Sequence, residues 1–336
     1  MRRIIRASSR RGTRGAPSSG PAYPRAARAW PRPRACALGT LGSDTGGSIR
    51  FPSTACGVTG LKPTWGRVSR RGVFPLAGSL DHIGPIVRSV EDAAAMLGVI
   101  AGYDPGDPTS LSAPVPDYVG ELARGARGLR VGFDEPYCTE GLAAPVARAL
   151  AQAREILREA GAEICPIRVP PRVELSALWA VLCAAETALA HAATYPSRKS
   201  EYGPGLASLL EIGHQASARD YARGHLTRLA FSGELARVFD EVDVFLSPTW
   251  KWTSRTLIEI DQVLASGEVA ELIAFTAPYD ASGSPTLSLP GGFDERGAPF
   301  GFQLVGRHLA EPELLRAGHA YQQHTDWHRR SPGGAS

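Results

Sequence analysis

The stretch LGSDTGGSIRFPS, Leu41 to Ser53, places an acid (Asp44), a glycine pair (Gly46, Gly47), a serine (Ser48) and an arginine (Arg50) within seven residues. That set suits acyl transfer, which needs a nucleophile and fixed donors for a developing oxyanion. Consecutive glycines let backbone N–H groups converge on one point, because no Cβ blocks the approach. Ser48 follows the pair, so its hydroxyl can stand beside those donors. Asp44 and Arg50 can lock the loop through a charge-assisted hydrogen bond. The same letters also fit a glycine-rich turn with an incidental serine, or a nest that cradles phosphate.

The elements that must carry such a loop read as alternating helices and strands from Cys36 onward. Ser89 with Asp92 three residues on resembles a capping box, ahead of a helix with Ala93, Met96, Leu97 and Ile100 on one face. LRVGFDEP (129–136) has the texture of a short buried strand. Residues 144–164 pattern as an amphipathic helix that Gly161 ends, and EICPIRVP follows as a strand. That β-α-β order predicts an α/β layered fold. Further helical patterns cover about 173–194, 205–213, 217–240 and 311–325. VDVFLSPT (242–249), SPTLSLPGG (284–292) and PFGFQLVG (299–306) read as strands, the last two joined by a turn.

Charge is uneven. Residues 1–36 hold ten arginines and no acid, while the other 300 residues carry 27 basic and 33 acidic side chains. The body is therefore mildly acidic, and no stacking platform or basic stripe in it points to nucleic acid. The arm has five prolines between Pro17 and Pro33 and no apolar periodicity, so it reads as disordered, and its prolines argue against a transit helix. No run of about 18 apolar residues exists, so no membrane-spanning helix is expected. Five scattered cysteines (Cys36, Cys56, Cys138, Cys165, Cys183) show neither CxxC nor zinc spacing, and read as reduced thiols of a cytoplasmic protein.

Three further pieces follow the opening GSDTGGSIRFPS and give it context: ACGVTGLKPTWGRVS, SLDHIGPIVRSVEDAA and DPGDPTS, all in order within residues 39–110. Together with ASGSPTLSLPGGFDERGAPFGFQLVG near the end, they closely resemble the amidase signature family, over about 37–332. The resemblance implies a mixed β-sheet core flanked by helices, with that amidase domain at 37–332 and a tail at 333–336. It implies hydrolysis of a carbon–nitrogen bond in a small carboxamide, without metal or cofactor. It maps the nucleophile onto Ser48 and the oxyanion hole onto the backbone of Thr45, Gly46, Gly47 and Ser48. It leaves a homodimer open as the assembly, and places the FLSPTW and DASGSPT segments near the pocket.

The sequence departs from the family where the proton relay belongs. Family members use a Ser–Ser–Lys relay in place of Ser-His-Asp. The bridging serine should stand 24 residues before the nucleophile, where this chain has Pro24. Ser18 and Ser19 form the nearest serine pair but are out of register. The three lysines, Lys62, Lys199 and Lys251, all follow Ser48, and Lys62 matches the family at a position with no base role. None of the eight histidines lies in a base pattern, although His82 falls in a family-like segment. The expectation is an N-terminally truncated amidase, with residues 1–36 a non-family arm of the kind a shifted GC-rich frame yields. The truncation should expose apolar surface and lower solubility. Two other functions compete. One is the A subunit of the tRNA-dependent amidotransferase, with its partner subunits, although Phe51 stands where that subunit typically has glutamine. The other is a non-catalytic remnant that keeps a carboxamide pocket. Trp179, Trp250 and Trp252 are candidate pocket walls, with core packing the plainer role for each.

Overall fold

A computed structural model describes residues 37–171, 173–265 and 269–330. The arm 1–36, with Ser18, Ser19 and Cys36, and the tail 333–336 lie outside the described residues. In chain order the elements are β1 (Gly39–Asp44), α1 (Arg50–Cys56), β2 (Thr59–Lys62), β3 (His82–Val87), α2 (Val90–Ile100), α3 (Tyr118–Glu121), β4 (Arg130–Phe133), α4 (Glu135–Thr139), α5 (Ala144–Glu159) and β5 (Glu163–Pro166). They continue with α6 (Val173–Ala190), α7 (Pro204–Gln215), α8 (Ala218–Glu241), β6 (Val244–Pro248), α9 (Leu257–Ala265), α10 (Val269–Leu272), α11 (Ala277–Ala281), β7 (Thr286–Phe293), β8 (Pro299–Gly306) and α12 (Glu311–Gln323).

The eight strands form one mixed sheet in the order β1-β3-β2-β7-β8-β6-β4-β5. Pairing is antiparallel from β1 through β6 and parallel across β6, β4 and β5. The predicted β-α-β unit is therefore real: β4 and β5 lie parallel with α5 between them in sequence. Alternation along the strands supplies both faces. Val244 and Leu246 of β6, with Leu304 of β8, enter the core that α2, α5 and α12 cover. Phe245 and Val305 point the other way, among Leu175, Leu182, Phe231 and Leu235 of α6 and α8. The expected mixed sheet flanked by helices is what the chain forms.

Local signals hold where they were strongest. Ser89 Oγ accepts the Asp92 N–H at 3.0 Å and starts α2. Gly161, just past the end of α5, adopts φ +93°, a left-handed conformation that glycine takes without strain. Strands β1, β2 and β3 carry no clear alternation and were not legible as strands. The reason is their glycine content. Gly42 of β1 lies opposite Gly84 of β3, and Gly60 of β2 is on the strand beyond. These glycines leave a dimple that the fully buried side chain of Ile49 fills, its carbons 3.0 to 3.2 Å from where a Cβ would stand on each of the three. Ile49 thus seats the residue after Ser48 directly on the sheet. A Cβ on Gly84 would also stand 2.0 Å from the Leu61 carbonyl oxygen, which is backbone and cannot swing away. Gly84→Ala is expected to cost about 3 kcal/mol, at the upper end for overpacking, read as a lower urea midpoint with an unchanged m-value.

Candidate active site

The loop at the end of β1 is held by its own Asp44 and by side chains from three distant segments. Asp44 is fully buried, and its carboxylate accepts from the backbone N–H of Gly47 (2.6 Å), Ile49 (3.0 Å) and Arg50 (3.3 Å). The same carboxylate takes the Arg50 guanidinium through Nε at 3.0 Å and Nη2 at 2.9 Å. The expected Asp44–Arg50 lock is therefore present, and it is bidentate. Arg50 reaches further, donating to the Thr276 carbonyl at 2.8 Å and to Asp280 at 2.5 Å. Sequence reading missed Asp280. It lies 230 residues from Arg50, and no spacing rule links the two.

Each peptide of the loop has its own clamp. The Thr45 hydroxyl donates to Asp81 at 2.5 Å, and Asp81 is itself pinned by the N–H groups of Leu76 and Ala77. The Trp179 indole N–H donates to the Thr45 carbonyl at 2.8 Å. The Thr276 hydroxyl donates to the Gly46 carbonyl at 2.5 Å. Gly47 adopts φ +139°, and a Cβ there would lie 2.4 Å from the Phe51 ring, so conformation and space both call for glycine. The Phe51 N–H closes the first turn of α1 onto the Gly47 carbonyl at 2.7 Å.

This bonding divides the four backbone donors assigned by resemblance. The Gly47 N–H is occupied by Asp44, so it does not face a substrate in this geometry. Among the described residues, the N–H groups of Thr45, Gly46 and Ser48 have no protein acceptor. Ser48 is half-buried, and no described side chain is hydrogen-bonded to its hydroxyl. The lysines are committed elsewhere. Lys199 pairs with Glu211, Lys251 pairs with Glu271, and Lys62 Nζ donates to the Ser284 carbonyl at 2.7 Å.

Beneath the loop lies a buried charge cluster of Asp44, Arg50, Asp280, Lys62 and His82. Burial alone would raise the Asp44 carboxyl, but the Arg50 charge and its hydrogen bonds outweigh this and hold the group well below the usual carboxylate range. Burial raises Asp280, with the Asp44 anion adding to it against the pull of Arg50 and Lys62. Burial draws Lys62 down to about 7, aided by the neighbouring Arg50 cation. His82 is also lowered, chiefly by burial and then by Lys62. Its Nδ1 lies 2.6 Å from the Leu80 carbonyl, which can only accept, so Nδ1 carries the proton. The 3.4 Å approach of that ring to Asp280 is therefore a contact of a neutral histidine. The segment SLDHIGP does lie by the loop, through Asp81 and His82.

The tryptophans take three different places. Trp179 rests on the loop. Trp250, at the end of β6, is buried and stacks on Phe51 with centroids 5.3 Å apart. Trp252 packs under the Arg255 guanidinium at 3.9 Å. FLSPTW and DASGSPT both border the loop, the first through Trp250 and the second through Asp280. The four described cysteines are free thiols, Cys138 and Cys183 buried and Cys56 and Cys165 half-buried. No helix among the described residues is long and apolar enough to cross a membrane.

Lys62 gives a pH signature. Its usual value is 10.5 and its folded value about 7, so between these only the unfolded chain holds the proton. Stability contributed at this position therefore rises with pH across that window. Relative to Lys62→Met, the wild-type chain should gain up to about 1.4 kcal/mol per pH unit between pH 7 and 10 in urea denaturation. A flat difference would place the folded lysine near its usual value.

The loop and its sheet have counterparts in known proteins. A family described as Amidase matches residues 9–315. AmiD of Mycobacterium tuberculosis, a protein assigned as an amidase, is 44% identical over 296 residues, covering 88% of this chain and 62% of its own length. The A subunit of glutamyl-tRNA(Gln) amidotransferase from Microcystis aeruginosa is 40% identical over 316 residues, covering 87% of this chain and 65% of that protein. The crystal structure of the same enzyme component from Thermotoga maritima aligns with a TM-score of 0.70 at 31% identity, over 83% of this chain and 60% of that one. The chain thus spans less than two thirds of the length of these relatives.

Proposed function

We propose, from the premise that this chain belongs to the amidase family, that it carries the acyl-transfer half of a carboxamide hydrolase, with Ser48 as nucleophile. The observation that carries this reading is the pre-set loop: Asp44, Trp179 and Thr276 hold it so that the Gly46 and Ser48 N–H groups, with that of Thr45, remain free beside a half-buried serine hydroxyl. In the reaction, Ser48 Oγ attacks the amide carbonyl. The carbonyl oxygen becomes an oxyanion within reach of those donors. Ammonia or an amine leaves with a proton, and water then hydrolyses the acyl-serine ester. Phe51, Trp179 and Trp250 line the neighbourhood with aromatic surface, which suits a small organic acyl group.

A serine hydroxyl needs a base to react at neutral pH. No described lysine is free for that role, and the sequence holds no lysine besides these three, so activation of Ser48 in this chain would fall to a group other than lysine. A fluorophosphonate probe tests the proposal, since it reacts only with an activated serine. Labelling at Ser48 that disappears in Ser48→Ala is the expected result. Absence of labelling would favour a binding protein that retains the carboxamide pocket. The similarity to the amidotransferase supports a second reading, ammonia release from glutamine. Glutaminase activity, appearing only with partner subunits, would mark it. Phe51, which takes up its apolar place against Trp250, weighs against that reading.

A further inference from the structure

We propose that Trp179 is a positioning residue for the acyl-transfer step, aiming the Gly46 N–H as an oxyanion donor by holding the carbonyl of the same peptide. The inference rests on the Ser48 reading above. The Thr45–Gly46 peptide is trans, so its carbonyl and its N–H point to opposite sides of the chain. Trp179 Nε1 fixes the carbonyl at 2.8 Å. The Gly46 N–H is thereby turned away from α6, and no described residue accepts from it. The next peptide shows the same rule with the opposite result. Its Gly46 carbonyl is held by Thr276 at 2.5 Å, and its Gly47 N–H is turned into Asp44 at 2.6 Å. One peptide is locked facing inward and its neighbour is locked facing out.

The indole also explains the first glycine of the pair. A Cβ on Gly46 would stand 2.5 Å from the Trp179 ring, so any other residue would push the indole off its carbonyl. Trp179 is itself held in register. About two turns further along α6, Glu186 accepts the Ser79 N–H at 2.8 Å and hydroxyl at 2.6 Å, and the Thr187 hydroxyl donates to the Leu76 carbonyl at 3.0 Å. The Thr187 hydroxyl also lies 2.6 Å from the Cys183 carbonyl within α6, so its single proton is shared and Glu186 makes the firmer tie; both contacts flank Asp81, which holds the Thr45 hydroxyl. Helix α6 and the 76–81 turn therefore grip Thr45 from its carbonyl and its side chain together.

The test deletes only the N–H. In the full chain, Trp179 is replaced by β-(3-benzothienyl)alanine, which keeps the ring shape with sulfur in place of the N–H, and in parallel by Trp179→Phe. The kinetics of fluorophosphonate labelling at Ser48 are split into probe affinity and maximal labelling rate. The expected result is a maximal rate about tenfold to a hundredfold slower in both variants, with affinity and melting midpoint of the isostere unchanged. That loss is smaller than the 10²–10³ typical of removing an oxyanion donor outright. An isostere that labels at the wild-type rate would make Trp179 a wall only and overturn the inference. A wild-type chain that does not label at Ser48 sinks the nucleophile reading itself, and this inference with it.

Discussion

Everything near Ser48 depends on a buried ion pair. Asp44 and Arg50 are both without solvent exposure, and two ions so placed lose several kcal/mol of hydration each. The arrangement is tolerable because almost every polar atom is used. Asp44 accepts from three backbone N–H groups and two guanidinium nitrogens, and Arg50 spends its remaining donors on Thr276 and Asp280. Stability is a weak motive for such a pair, since well-packed apolar groups often do as well. Its effect here is geometric. A carboxylate that gathers three N–H groups bends the chain around itself, and that bend sets Ser48 at the turn between β1 and α1.

Around this centre the loop is fixed from outside its own sequence. Ile49 drops into a dimple made by glycines on three neighbouring strands. Thr45 is tied to the 76–81 turn and to α6, and Gly46 is tied to the residue that precedes α11. Asp44 gathers three of the loop's peptides, while the Thr45 and Gly46 carbonyls are held by separate partners, so the planes of those two peptides are set independently. This gives fixed donors without a reorganisation cost at the moment of reaction, which is the physical basis of oxyanion stabilisation. The second carboxylate, Asp280, favours the charged form of Lys62, but burial outweighs it and draws both Lys62 and His82 down. That removes Lys62 from the surface-lysine class. It remains bonded to the Ser284 carbonyl, away from any contact with Ser48.

Much of the fold was legible because its helices and later strands carry strong local signals. The cap at Ser89, the apolar stripe of α5 and the runs at 244–248 and 299–306 each bury a face that the pattern already marks. The first three strands were not legible, since glycines replace the apolar residues that alternation would need. Their role is to make room for Ile49, and only the register of β1, β2 and β3 shows it. Within the site, the loop and its Asp44–Arg50 lock could be read from spacing because all members lie close together in the chain. Trp179, Thr276 and Asp280 could not, because they arrive from 134 to 230 residues away.

The sequence alone determined which groups are present: one serine after a glycine pair, an acid and a base to fold the loop, and the ordered motifs that mark the family. It also determined that no lysine precedes Ser48. Only the tertiary structure decided which backbone donors are free. The Gly46 and Gly47 N–H groups are identical in sequence terms, but one is turned outward and the other is consumed by Asp44. The reason is that a trans peptide has one orientation for two groups, and the partner that captures its carbonyl comes from a distant segment. Local sequence can place a donor in a loop. Long-range packing has to choose the direction in which it points.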